Sequence, residues 1–148
     1  MTSSQPNATM IKFGFPASLV REYENWAVLL RPAQCTLGAL ILVNKSDVQS
    51  FADIGRESYL ELDRVVQDIE RNLRAFRPFQ KINYLMLMMV DKEVHFHVLP
   101  RYERDQEFDG VVYTDSGWPA VPNLAAGPVV DGEQMASLVG ELKNIWAS

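Results

Sequence analysis

The sequence predicts an α+β fold, in which an antiparallel sheet packs against one long central helix and a C-terminal helix. Short apolar runs of strand length occur before and after a long stretch whose apolar residues recur at helical spacing. A second stretch of helical spacing follows near the end of the sequence. With 148 residues, 47% of them hydrophobic, the chain can bury one sizeable core but is too short for two ordinary domains. We therefore expect a single domain over residues 1–148.

The first predicted strands are the short apolar runs at residues 26–30 and 37–43. Pro32 and polar turn residues separate them, and this connection is too short for a crossover helix. The two strands should therefore run antiparallel. Two further runs, at residues 82–90 and 94–99, are joined by a charged triplet and predict a hairpin. Pro100 should end the second strand of this hairpin.

Two segments have the apolar spacing of amphipathic helices. The longer covers residues 50–76, with Asp53 as a plausible N-cap and with Pro78 opposing continuation of the helix. Asp, Glu and Arg residues fill its other face. The second helix should begin near Asp131 and extend over residues 131–147.

The remaining segments predict irregular structure. Residues 1–10 are polar, without a basic start or an apolar run, so they resemble a loose tail and not a secretory signal. Residues 103–130 are rich in charged residues, glycine and proline and predict a long irregular arm.

Composition and charge exclude several classes of partner. The net charge of -5 provides no positive field that would attract a polynucleotide or an anionic membrane. No apolar run approaches the eighteen or so residues of a membrane span. Cys35 is the only cysteine, which excludes an internal disulfide and a cysteine-rich metal site. We expect a cytoplasmic protein.

The two histidines of the chain lie two positions apart, at His95 and His97. In a strand, Glu93, His95, His97 and Leu99 share one face, and the apolar residues between them share the other. A flanking group can then hydrogen-bond one nitrogen of an imidazole and leave the other nitrogen free as nucleophile or base.

Three interpretations of this polar row remain open at the level of residue pattern. It can be the solvent-facing side of a surface strand. Glu93, His95 and His97 can be metal ligands, although no other cluster in the sequence completes a coordination shell. The third interpretation is nucleophilic catalysis.

Residues 93–101, Glu-Val-His-Phe-His-Val-Leu-Pro-Arg, resemble the active-site strand of histidine-triad proteins, in which three histidines alternate with apolar residues. The Leu-Pro-Arg ending is similar to that of the branch that hydrolyses dinucleoside polyphosphates. The upstream order of strand, turn, strand and long helix also resembles this family. The resemblance extends from about Trp26 to Tyr102 and indicates a bacterial hydrolase type with a degenerate triad.

This resemblance implies a compact histidine-triad fold that forms a homodimer and binds a nucleotide as its small-molecule partner. The middle histidine, His95, would attack the α-phosphorus and form a nucleotidyl-histidine, and His97 would help to place the phosphate. Such a reaction needs no cofactor and no metal ligand. The residues implied at the nucleotide are the following: Glu93, Arg31, Gly38 and Arg101.

The chain departs from the family pattern at three places. Glu93 replaces the first histidine of the triad, Ala39 stands where the family has a separate upstream histidine, and residues 88–92 contain no glycine. Two functions therefore remain open. One is a hydrolase or nucleotidyl transferase acting on a dinucleoside polyphosphate or a nucleoside phosphoramidate. The other is a module on the same fold that binds a nucleotide or a protein without turnover.

Overall fold

A computed structural model describes residues 5–148, in which five antiparallel strands form the main sheet. The strands are β1 (Leu19–Glu22), β2 (Trp26–Leu30), β3 (Leu40–Asn44), β4 (Lys81–Leu85) and β5 (His95–Arg101). Their order in the sheet is β1-β2-β3-β5-β4, so the histidine strand β5 lies between β3 and β4. The helices are α1 (Ala8–Lys12), α2 (Arg56–Phe76) and α3 (Gly132–Ala147). The predicted α+β class, with a long helix and a C-terminal helix, is confirmed.

Both faces of the sheet are covered. Alternate residues of β2, such as Val28 and Leu30, join the larger core, to which α2 and α3 contribute. The intervening residues Ala27 and Leu29 pack with Met10 of α1 in a smaller core on the other face. Because both faces are covered, every residue of β2 and β3 is buried, which explains why these strands are continuous apolar runs in the sequence.

The prediction of a loose tail is wrong for its described part, residues 5–10, whereas residues 1–4 lie outside the described residues. Asn7 caps α1 by accepting a hydrogen bond from Met10 N. Its side-chain amide also donates to the main-chain oxygens of Asn44 and Ser46, each at 2.8 Å. A polar side chain thus fixes this segment to the end of β3, and hydrophobic periodicity gives no sign of such an anchor.

The long helix begins later than predicted. Ser50 caps a short 3-10 helix, Phe51–Asp53, and Gly55 then interrupts the helical path with a φ of +92°. This conformation favours glycine. The α-helix α2 therefore starts at Arg56, and Asp53 is not its cap.

The predicted hairpin forms, but its strands have different limits. β4 pairs antiparallel with β5 and ends at Leu85, so residues 86–94 form a loop instead of a short turn. β5 continues through Pro100 to Arg101. The last pairing of β5 with β3 joins Val98 to Leu40, so Pro100 lies beyond that ladder and removes no bond from it.

The region predicted as an irregular arm contains one hairpin, formed by β6 (Gln106–Phe108) and β7 (Val111–Tyr113). Asp115, which follows the hairpin, forms a buried ion pair with Arg101, with 2.7 Å between Nε and Oδ2. Further along, Pro128 O accepts a hydrogen bond from Gln34 N. The arm is thus held against the turn between β2 and β3. No helix among residues 5–148 is long and apolar enough to cross a membrane.

Candidate active site

His95 and His97 lie side by side on the sheet face that α1 covers. The centroids of their imidazole rings are 5.3 Å apart, and the alternate residues Val94 and Val98 belong to the larger core on the other face. The predicted alternation of faces is therefore present. His95 is 2% exposed and His97 6%, so the interpretation as a solvent-facing surface strand is wrong.

His95 is oriented by the backbone just before its strand. Its Nδ1 lies 2.8 Å from the main-chain oxygen of Glu93. Glu93 therefore contacts the imidazole through its carbonyl group, while its carboxylate accepts a hydrogen bond from Thr9 Oγ1 at 2.7 Å. The carboxylate does not line the cavity in front of the histidines.

His97 contacts Arg31, which directly follows β2. Arg31 Nε donates a hydrogen bond to His97 Nδ1 at 3.1 Å. Burial, and after it the neighbouring charges of Arg31 and His95, together lower the pKa of His97 to about 4, whereas Asp91 acts in the opposite direction. His97 is therefore neutral at physiological pH.

The guanidinium of Arg31 is buried and held by main-chain oxygens. Its Nη1 donates to Ala33 O at 2.8 Å and to Leu124 O at 3.2 Å, and it lies 3.5 Å from Cys35 Sγ. Burial raises the pKa of the Cys35 thiol. Because the Arg31 head group is satisfied on several sides, it has a defined orientation toward His97.

A cavity of about 430 Å³ opens in front of both imidazoles. Phe13 packs beside them, with ring centroids 5.9 Å from His95 and 5.8 Å from His97. Lys12, at the rim, forms an ion pair with Asp91 at 2.9 Å. The cavity is lined by Lys12, Phe13, Arg31, Leu87, Met88, Met89, Val90, Asp91, His95, His97 and Leu124.

Besides Glu93, two further residues assigned to the nucleotide by sequence, Gly38 and Arg101, lie outside this cavity. Gly38 has a φ of +91° in the turn between β2 and β3, and a Cβ at this position would contact Leu73 of α2 and Pro100. It serves the turn and its packing. Arg101 is occupied by Asp115, by Asn83 Oδ1 at 2.7 Å and by the arm. Both assignments are therefore corrected.

The position of the missing upstream histidine is apolar. Ala39 is fully buried and clusters with Cys35 and Leu99, so no polar group extends from it toward the imidazoles. Arg31 is the polar side chain that reaches His97 instead.

Sequence reasoning missed several cavity residues. Lys12 is the last residue of α1 and Phe13 is its C-cap, whereas Leu124 comes from the arm. No motif identifies them, because they reach the histidines only through the tertiary structure. Phe13 and Phe15, which flank Gly14, are a local signal that this segment packs against the sheet.

The geometry does not favour a metal centre. The carboxylate of Glu93 is turned to Thr9, so it does not complete a ligand set with the two imidazoles. Within residues 5–148, no three His, Cys, Asp or Glu side chains are grouped so that they could hold a metal ion.

Comparison with known proteins relates the chain to histidine-triad structures. No protein-family model and no curated sequence matches it. A hypothetical histidine triad nucleotide-binding protein from Sulfolobus tokodaii is 17% identical with a TM-score of 0.68, over 94% of this chain and 89% of that one. A histidine triad protein from Bradyrhizobium japonicum is 14% identical with a TM-score of 0.67, over 95% and 96%.

A zinc-bound histidine triad family protein from Mycobacterium smegmatis is 18% identical with a TM-score of 0.61, over 93% of this chain and 89% of that one. These similarities extend well beyond the segment from Trp26 to Tyr102, because they cover 93% to 95% of the chain. With the antiparallel sheet, the long helix and the imidazole pair on β5, they lead to one conclusion. The chain has the histidine-triad fold.

Proposed function

We propose that this protein is a nucleotide hydrolase or nucleotidyl transferase of the histidine-triad type. It acts on the α-phosphate of a nucleoside 5'-phosphate derivative, either a dinucleoside polyphosphate or a nucleoside phosphoramidate. The observation that carries this proposal is the 2.8 Å contact between His95 Nδ1 and Glu93 O. A carbonyl oxygen can only accept, so Nδ1 carries a proton, and in the neutral imidazole Nε2 then keeps its lone pair.

In the proposed reaction, His95 Nε2 attacks the α-phosphorus, and the bond from phosphorus to the leaving group breaks as the N–P bond forms. Water, or another acceptor, then replaces the imidazole and releases the nucleoside monophosphate or its derivative. No described residue occupies His95 Nε2 with a hydrogen bond, and His95 lines the cavity. His97 assists by placing the phosphate and supporting the charge that develops on it.

The charges around the cavity support binding of an anionic substrate. Arg31 and Lys12 are its two cationic lining residues, and Asp91 pairs with Lys12. The Glu93 carboxylate, which replaces a triad histidine, is held by Thr9 and so is kept from facing a phosphate. The nucleotide-binding name of the Sulfolobus tokodaii protein is consistent with this ligand class.

The proposal includes a homodimer and a cytoplasmic location, both implied by the family resemblance. Light scattering coupled to size-exclusion chromatography measures the mass in solution. A mass near twice 16.8 kDa supports the dimer, and a mass near 16.8 kDa contradicts it.

The His95→Gln variant tests catalysis. We expect purified wild-type protein to release nucleoside monophosphate from at least one member of a panel of adenosine and guanosine phosphoramidates and dinucleoside polyphosphates. Loss of the nucleophile lowers kcat by about 10⁴-fold or more while nucleotide binding is retained. Lys143→Gln, on the exposed face of α3, is the matched control and keeps full activity.

The alternative function is binding without turnover. Ala39 favours it, because this residue and its apolar neighbours offer the imidazoles no polar contact like that of the upstream histidine in the family pattern. Nucleotide binding by the wild type without product from any substrate of the panel would establish this alternative and refute the hydrolase. Product release that His95→Gln leaves unchanged would place the chemistry elsewhere.

A further inference from the structure

We propose that Arg31 is a positioning residue that sets the tautomer of His97. It keeps the proton of this imidazole on Nε2, so the two neighbouring histidines present opposite groups to the cavity. His95 offers a lone pair, and His97 offers an N–H. This role differs from the nucleotide contact that the resemblance implies for Arg31, and its catalytic consequence rests on the proposed function.

The direction of one hydrogen bond carries the argument. A guanidinium has only donors, so Arg31 Nε can approach His97 Nδ1 at 3.1 Å only if that nitrogen is an unprotonated acceptor. In a neutral imidazole, the proton then has to be on Nε2.

The orientation of Arg31 is itself fixed. Its Nη1 donates to Ala33 O, which follows the same strand, and to Leu124 O, which belongs to the arm. Arg31 is 8% exposed, so water competes little for these donors. The arm therefore reaches His97 through a chain of two hydrogen bonds, from Leu124 O to the guanidinium and from the guanidinium to the imidazole.

His97 also stays uncharged, which the tautomer requires. The charged and titratable groups around it are Arg31 at the end of β2, His95 on its own strand, and Asp91 on the loop after β4, where Lys12 neutralises the carboxylate. Burial and the first two of these groups lower the pKa of His97 to about 4. A second proton on Nδ1 would in addition face the Arg31 donor directly.

The consequence for the proposed reaction is a division of labour between two chemically identical side chains. Only His95 has a free ring lone pair toward the cavity, so only one imidazole can attack phosphorus. The N–H of His97 can donate to a phosphate oxygen without carrying a charge of its own. Arg31 thus prevents the second histidine from competing as a nucleophile.

Nuclear magnetic resonance tests this directly, because the chain contains only two histidines. Long-range proton–nitrogen spectra of 15N-histidine protein without ligand report the protonated nitrogen of each ring, and His95→Gln assigns the signals. We expect His95 as the Nδ1–H tautomer and His97 as the Nε2–H tautomer near neutral pH. A His97 signal with its proton on Nδ1, or averaged over both nitrogens, would overturn the proposal.

Arg31→Met tests whether Arg31 is the cause. We expect a share of the Nδ1–H tautomer to appear at His97 and its titration midpoint to rise by about 1 pKa unit or more. Arg104→Met removes the same charge from an exposed position and should leave both readouts unchanged. Unaltered tautomer and titration in Arg31→Met would refute the role of Arg31. If this variant does not fold, the wild-type spectrum still tests the tautomer on which the proposal depends, and a proton on Nδ1 of His97 would overturn it.

These readouts need no substrate, so they are independent of turnover. A wild type that hydrolyses nothing but shows the two opposite tautomers refutes the proposed function and supports the positioning role of Arg31. A wild type that is active while His97 has its proton on Nδ1 supports the proposed function and refutes the positioning role of Arg31.

Discussion

Glu93 contributes two groups from one position, and they point to different neighbours. Its main-chain oxygen accepts from His95, while its carboxylate accepts from Thr9 on α1. The side chain that replaces a histidine of the triad is therefore kept out of the cavity by a residue 84 positions earlier in the chain. The backbone of the residue still orients the proposed nucleophile.

Thr9→Val removes this hydroxyl with little change of shape. We expect the free energy of unfolding to fall by about 1.5 kcal/mol, because the partly buried carboxylate loses a hydrogen bond. We also expect the KM for an anionic substrate to rise, since the freed carboxylate can turn toward the cavity. Urea titration and steady-state kinetics measure the two effects.

Ser137→Ala is the matched control for that prediction, because Ser137 donates to the carboxylate of Asp109 at an exposed position. Its free energy of unfolding should change by about 0.5 kcal/mol or less. Equal losses of unfolding free energy in the two variants would mean that the contact between Thr9 and Glu93 stabilises the fold no more than an exposed hydrogen bond does.

At the residue scale, strand alternation and the motif at residues 93–101 pointed to the two imidazoles, and the family resemblance pointed to Arg31. Sequence reasoning could not identify Thr9 or Phe13, whose roles depend on contacts with residues some eighty positions away. It assigned Arg101 to the nucleotide because nothing in the sequence reveals that this side chain forms an ion pair with Asp115.

Among the structural elements, the arm has the most unusual packing. Gly127 lies so close to the turn before β3 that a Cβ there would be 2.1 Å from Gln34 O, and its φ is +88°. This close approach brings Leu124 into contact with Arg31. The arm is therefore part of the wall of the cavity.

Gly127→Ala should displace the arm. We expect a loss of about 2 kcal/mol in the free energy of unfolding, because a methyl group is forced against main chain at a positive φ. Activity should fall as well, since Arg31 loses one of its carbonyl partners. Chemical denaturation and the substrate panel provide the measurements.

The control for that substitution is Gly140→Ala, in α3, where an added Cβ meets nothing within 4 Å. We expect this substitution in a helix to raise the free energy of unfolding by about 0.5 to 1 kcal/mol. A neutral or stabilising effect of Gly127→Ala would show that the arm is not packed as tightly as described.

The elements with a sustained hydrophobic period were predictable, and the short ones were not. β2, β3 and α2 have clear apolar patterns because they face the core along their whole length. β1 has four residues, of which only Val20 is buried, so it leaves no periodic signal. The start of α2 was misplaced because Gly55 interrupts a helical pattern that continues on both sides.

Across the whole molecule, partly buried tyrosine hydroxyls connect the helices to the sheet. Tyr23 donates to Asp68 of α2 at 2.8 Å and accepts from Trp146 Nε1 of α3 at 3.1 Å. Tyr84 of β4 donates to Glu70 of α2 at 2.9 Å. Burial, and after it the neighbouring carboxylate of Asp68, raise the pKa of Tyr23 to about 12, although the hydrogen bond from Trp146 lowers it. Burial and the carboxylate of Glu70 likewise raise the pKa of Tyr84.

Stability should therefore fall in alkali. The unfolded chain loses tyrosine protons near pH 10, whereas the folded chain keeps the Tyr23 proton to about pH 12. Within this window the folded state binds more protons, so the free energy of unfolding decreases as pH rises. Urea titrations across the window measure the slope, and Tyr23→Phe should make it shallower. An identical slope in the variant would contradict the assignment to Tyr23.

The two covered faces of the sheet separate the parts of the sequence that determine stability from those that determine selectivity. The larger core lies behind β5, whereas the cavity wall includes the exposed side chains of Leu87, Met89 and Val90 on the loop after β4. Substitutions of these three exposed side chains can change which ligand fits the cavity without altering the packing of α2. Such an arrangement favours evolutionary diversification, because new specificities can be sampled by mutation while the scaffold remains folded.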